Sequence, residues 1–163
     1  MLTVAAAILA VCWATPSFAL SESDLVRRYC MGMIIEFTNP DMSRTDCISA
    51  THAIEVDWSD KYLEAIGQAL HYAQWTHEFS ENPNDFARWH RAVNSPRIPG
   101  IIFACTASRR TELCADKIVR PLRIAERYGF PITVWDCDPN TDATLADCQR
   151  IDFDPKAAAA KDH

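Results

Sequence analysis

At 163 residues the chain is long enough for one domain with an ordinary core and too short for two domains of average size. With 22 acidic against 16 basic residues its formal net charge is −6, which argues against a surface that holds polyanions by bulk charge alone. No two cysteines stand in C-x-x-C spacing, which argues against a structural zinc site.

The first element is a leader. "LTVAAAILAVCWA" is an apolar run, followed by Pro16 and by small Ser17 and Ala19 at the −3 and −1 positions, which predicts a secretory signal peptide over residues 1–19. The run is short for a transmembrane helix, so no membrane association is expected after cleavage, and the protein is expected to be periplasmic or secreted. Residues 20–163 retain six of the seven cysteines, an even number that reads as disulfides in an exported chain. Sequential pairing is expected: Cys30 with Cys47, Cys105 with Cys114, and Cys137 with Cys148.

"SESDLVRRYC" (Ser21 to Cys30) predicts a short helix capped by Ser21 or Ser23, with Glu22 and Asp24 in its first turn, where the helix dipole favours acids. "MGMIIEFT", "RTDCIS" and "AIEVDW" predict three antiparallel strands, the first two joined by the turn "NPDMS". A helix from about Ser59 to His77 follows, with Leu63, Ile66, Leu70 and Ala73 as its apolar stripe. Lys61, Glu64, Gln68 and Tyr72 form a second line along its opposite face. "SENPNDFARWHRAVNSP" reads as a loop with a helical turn. "RIPGIIFAC" is a strand covered on both faces, and "RRTELCADKIVRPLRIAERYG" a helix that Pro121 is expected to kink or split. "PITVWDC" is the last predicted strand. Residues 20–155 form the expected domain and 156–163 a frayed tail. The order αβββαβαβ predicts an α/β fold with a mixed central sheet flanked by helices.

The chemistry gathers around the third strand. Alternation sends Ile54, Val56 and Trp58 into the core and Glu55 and Asp57 to the other, wet face. Asp46 lies on the neighbouring strand, so its carboxylate and that of Glu55 are expected to converge. Two such carboxylates repel unless a cation lies between them, and hard oxygen ligands select Mg²⁺, Mn²⁺ or Ca²⁺. Such an ion polarises a phosphoryl oxygen and activates water; Lys61, at the start of the next helix, is placed to orient that water or neutralise developing charge. Solvated acids on an edge strand are the plainer reading of Glu55 and Asp57 taken alone. His52 is the histidine nearest this constellation and the candidate general base among them; His71, His77 and His90 read as surface or core fillers. Arg109, Arg110, Lys117, Arg120, Arg123 and Arg127 are either phosphate contacts or a solvated helix face. Trp75, Phe86 and Trp89 are either stacking platforms for unpaired bases or a satellite core.

Asp46, Glu55, a following lysine and a helix carrying "QALHY" together resemble the PD-(D/E)XK, or restriction-endonuclease-like, nuclease superfamily over roughly Ser21 to Asp138. The resemblance implies a restriction-endonuclease-like fold and a Mg²⁺-dependent (or Mn²⁺-dependent) nuclease that hydrolyses phosphodiester bonds of nucleic acid, with DNA as the expected substrate. It implies that Asp46 and Glu55 bind the metal with the backbone carbonyl of Val56, and that Glu22 joins them from the first helix. Gln68 would support the site or a phosphate, and Tyr72 completes the Q-x-x-x-Y pattern. The sequence departs from the family at one point: Asp57 stands where the lysine belongs, and Lys61 would serve as a lysine displaced onto the helix. Asp57 then has two open roles, ligand of a second ion or helix cap, and Glu36 is a further acidic candidate on the first strand. The alternative is a catalytically inactive, disulfide-stapled binding protein on the same scaffold.

Overall fold

The computed structural model describes residues 20–39, 41–78, 97–105 and 112–159. The expected signal peptide, the polar insertion with Phe86, Trp89 and His90, the side chains of Trp75 and His77, and Arg109 and Arg110 lie outside the described residues. Helix α1 (Glu22–Tyr29) is followed by strands β1 (Ile34–Thr38), β2 (Arg44–Ile48) and β3 (His52–Trp58). A 3₁₀ turn, Ser59–Lys61, leads into α2 (Tyr62–Glu78), and then come β4 (Ile98–Ala104), α3 (Glu112–Tyr128), β5 (Ile132–Cys137), β6 (Gln149–Phe153) and α4 (Pro155–Ala159).

The six strands form one mixed sheet in sequence order. β1, β2 and β3 are antiparallel neighbours, β3, β4 and β5 run parallel, and β6 returns antiparallel to β5. α1 starts as its sequence expects: the Ser21 hydroxyl accepts the Asp24 N–H at 3.2 Å, and the Asp24 carboxylate accepts the Ser21 N–H at 3.0 Å. Its apolar residues Leu25, Val26 and Tyr29 cover one face of the sheet, against Ile54, Val56, Ile102 and Trp135. α2 and α3 cover the other face, where Ala65, Ile66, Ala69, Ile118 and Ala125 pack on Ile101, Phe103, Ile132 and Val134. The mixed sheet with flanking helices is thus the architecture that the element order predicts.

Four details depart from expectation. β6 follows the strand expected to be the last, and α4 runs into the expected frayed tail. β6 is an edge strand whose outward residues Gln149, Arg150 and Asp152 hide the alternation of half-buried Ile151 and Phe153. α4 takes up Pro155–Ala159, where an alanine run favours helix. α3 is not split at Pro121: the helix runs unbroken, because the buried ring adds to the apolar face and only one ladder bond is lost. On α2, Leu63 is 66% exposed, and the buried stripe is Ala65, Ile66, Ala69, Tyr72 and Ala73.

The cysteines stand at disulfide distance in the expected sequential pairs. Cα separations are 5.8 Å for Cys30 and Cys47, 6.7 Å for Cys105 and Cys114, and 4.6 Å for Cys137 and Cys148. They tie α1 to β2, the end of β4 to α3, and β5 to the segment entering β6. Among the described residues no helix is long and apolar enough to cross a membrane.

A buried carboxylate pair as the candidate functional site

The register of β2 on β3 fixes which side chains meet. Cys47 pairs with Ile54 and Ile48 with Ala53, so Asp46 falls opposite Glu55, and both point to the face that carries Ala53. That face is covered by α2, since Ala53 packs on Tyr72 and Ala73. The alternation read from the sequence therefore holds, but the second face is not wet: Asp46 is 7% exposed, Glu55 4% and Asp57 2%. The β2–β3 ladder ends at Cys47 and Ile54, and beyond it the Asp46 carboxylate takes the place of backbone, accepting the Val56 N–H at 2.9 Å. The N–H and C=O of one strand residue leave the same strand edge, so the Val56 carbonyl lies on the edge that Asp46 approaches.

Two carboxyl groups this close and this buried cannot both stay ionised without help. Burial, and then the charges of Asp46, Asp57 and Glu22, push Glu55 far up. Burial also raises Asp46, against the Val56 N–H that opposes it. After burial, the Asp46 charge is the largest cause of the rise at Glu55, so the two carboxyls oppose each other's ionisation. Oε2 of Glu55 is buried without a hydrogen-bond partner, and so is Oε1 of Gln68 on α2. Gln68 shares its stripe with Ala65, Ala69 and Tyr72, on the side of the helix that meets the sheet. Tyr72 is 5% exposed, and its hydroxyl is held protonated by burial and by the charges of Glu55 and Asp46.

Lys61 ends the turn that leaves β3. Its Nζ lies 3.1 Å from Asp57 Oδ1 and 3.1 Å from Glu22 Oε2, which brings the start of α1 and the end of β3 to one point. The hydrogen bonds to Asp57 and then to Glu22 raise the lysine, which stays charged. Burial outweighs the lysine at Asp57, leaving that carboxyl raised as well. Asp57 also accepts the Trp58 N–H at 2.7 Å where the strand turns into the 3₁₀ helix. Asp46 and Glu55 thus lie beneath α2 near Tyr72, while Glu22, Asp57 and Lys61 form an adjoining ion cluster, of which Glu22 acts on Asp46 and both acids act on Glu55.

Glu36 and His52 do not join them. Glu36 has φ 52° on the edge strand β1, the ladder skips the pair it would make with Asp46, and its carboxylate pairs with Arg44 at 3.8 Å. His52 points to the α1 face with Ile54, away from Glu55; its ring bonds Thr51 and Thr133. His71 bonds Asp41 at 2.6 Å. Of the basic residues, Arg120, Arg123 and Arg127 are exposed on α3, with Arg120 engaged by Asp116 and Tyr62.

The donor set fits a divalent cation in its chemistry. An orphaned buried carboxylate oxygen, a second carboxylate opposite it and a backbone carbonyl edge are all oxygen donors. Among the described residues no group of three or more His, Cys, Asp or Glu side chains is disposed to hold a metal ion. Any ion here would therefore rest on two carboxylates, the carbonyl and water, unless Glu22 leaves Lys61 to join them. Comparison of the chain with protein-family models, with curated proteins and with solved structures finds no match.

Proposed function

We propose that this chain is an exported, Mg²⁺- or Mn²⁺-dependent nuclease of the restriction-endonuclease-like class, hydrolysing phosphodiester bonds of nucleic acid, with DNA as the favoured substrate. The observation that carries this reading is the Asp46–Glu55 pair. Two carboxyls are buried opposite each other on neighbouring strands, one oxygen is left without a partner, and a lysine-bearing ion cluster adjoins them. A purely structural role would favour replacing such a pair with apolar residues, because an uncompensated buried carboxyl costs about 1–3 kcal/mol. The three-strand meander followed by a helix and a parallel strand supports the finer fold assignment.

A bound divalent ion would supply Lewis acidity and an activated water. Asp46, Glu55 and the Val56 carbonyl would hold it, with Glu22 as a further carboxylate once it releases Lys61. The charge of such an ion would favour the ionised form of Glu55, with its proton released to solvent, offsetting the neighbouring acids. Lys61, charged and held by Asp57, stands ready to stabilise charge at the phosphate. Gln68 has a buried, unpartnered carbonyl oxygen, a group that could orient water. Exposed Arg123 and Arg127 on α3 offer local positive charge in an otherwise acidic chain. The expected compartment is the periplasm or the exterior, which the three cysteine pairs favour.

The test is cleavage of plasmid and oligonucleotide by the oxidised protein. Glu55→Ala and Lys61→Ala are each expected to abolish Mg²⁺-dependent cleavage with the fold intact by circular dichroism; undiminished cleavage in both rejects the assignment. One observation favours the inactive, ligand-binding alternative: the Lys61 amine is held by Glu22 and Asp57 rather than by the carboxylate pair. That alternative predicts no cleavage by the unaltered protein with either ion.

A further inference from the structure

The opposite face of the sheet carries a polar construction of its own. Thr133 on β5 donates its hydroxyl proton to Asp152 Oδ1 on β6 at 2.7 Å. A hydroxyl has one proton, so the 2.9 Å bond between Thr133 and His52 Nε2 has the imidazole as donor. The His52 proton therefore sits on Nε2, and Nδ1 accepts from the Thr51 hydroxyl at 2.7 Å. Burial and the Arg150 guanidinium lower the His52 pKa to about 4, so this neutral tautomer persists at neutral pH. The chain Thr51–His52–Thr133–Asp152 is satisfied throughout and fixes one rigid wall.

Beside that wall opens a cavity of about 400 Å³, lined by Ser49, Thr51, His52, Ile54, Trp135 and Arg150 among others. Gly100 of β4 lets Ile54 and Trp135 close over the strand between them: a Cβ there would lie 2.9 Å from Ile54 and 3.0 Å from Trp135. Three polar groups face this apolar floor with capacity to spare. The Ser49 hydroxyl accepts the N–H groups of Thr51 and His52 at 3.2 and 3.0 Å, which leaves its own proton to give. Thr51 has given its proton to His52 and can still accept. Arg150 binds Asp152 through Nε and Nη2 and stacks over the Trp135 ring at 5.6 Å, which leaves Nη1.

A donor, an acceptor and a guanidinium edge ranged above a floor to which Ile54 and Trp135 contribute, in a volume of ligand size, define a complementary molecule. We propose that this cavity binds a planar nitrogen heterocycle carrying an anionic group, of the nucleoside monophosphate class. The ring edge meets Ser49 and Thr51, the ring rests on the apolar floor, and the anion meets Nη1 of Arg150, whose guanidinium already covers Trp135. The site lies on the other side of the sheet from Asp46 and Glu55 and does not depend on the nuclease reading.

The test is calorimetric titration of the oxidised protein with adenosine monophosphate, in EDTA and again in Mn²⁺. Saturable one-to-one binding of equal strength in both is expected, with adenosine and ribose 5-phosphate each weaker by about tenfold or more. Arg150→Met is expected to weaken the monophosphate about tenfold and leave adenosine unchanged. Should that variant fail to fold, Ser49→Ala is expected to weaken the monophosphate and adenosine alike. The proposal is overturned by the absence of saturable binding at millimolar monophosphate. It is equally overturned by binding that appears only with Mn²⁺, which would put the ligand at the carboxylate pair, or by full affinity in whichever variant folds.

Discussion

Glu55 is a carboxyl whose burial works against its ionisation. Burial and three neighbouring acids raise its folded pKa far above that of an unfolded glutamate. For a raised group, its contribution to stability is intact below the unfolded pKa and is lost as pH rises through the folded one. Folding stability in EDTA is therefore expected to fall on the alkaline side. Glu55→Gln, which stays neutral, should flatten that fall by more than about 1 kcal/mol between about pH 6 and about pH 9, read by urea denaturation. Parallel curves for the two proteins would show that Glu55 is ionised in the folded state. Sequence alternation alone placed Asp46 and Glu55 together, because cross-strand neighbours on one face need only the correct register. The burial of the pair was not legible, since it depends on where α2 comes to rest. The engagement of Lys61 by Glu22 was not legible either, because it joins residues 39 positions apart at the meeting of two elements.

At the scale of the element, α2 shows how hydropathy misleads. The pattern Leu63, Ile66, Leu70, Ala73 weights large residues, yet Leu63 faces outward and the sheet is met by Ala65, Ala69 and Ala73. Small residues every fourth position let the helix lie close enough to the strands for Tyr72 to reach the region of Glu55. Leu63→Ser is accordingly expected to change stability by no more than about 0.5 kcal/mol. Ala69→Leu should cost about 1–3 kcal/mol by overpacking that contact. Chemical denaturation of both variants checks the pair, and the reverse ranking would mean that the helix is rotated about its axis. β6 was missed for a related reason: an edge strand buries only half of each alternate residue, so Gln149, Arg150 and Asp152 dominate its sequence signal.

For the whole molecule, two apolar layers on a mixed sheet are held by three cysteine pairs that anchor α1, α3 and the approach to β6. Each bridge is expected to contribute about 2–4 kcal/mol, so a thiol reductant should lower the melting temperature well below that of the oxidised protein. An unchanged melting temperature, with thiol counting showing complete reduction, would deny the bridges a stabilising role. The element order and the sheet's mixed character were legible because periodicity changes from two to 3.6 at clear turn signals. The same order brings the middle of β2 and the third strand together under α2, with the start of α1 meeting the end of β3 at Lys61, and the proposed chemistry depends on that convergence. Its most direct measurement is the melting temperature of the oxidised protein titrated with Mn²⁺. Stabilisation that grows with ion concentration as mass action requires, is reversed by EDTA and is absent in Asp46→Asn is the result expected. No shift at millimolar Mn²⁺, or an equal shift in Asp46→Asn, would contradict a metal site at Asp46 and Glu55.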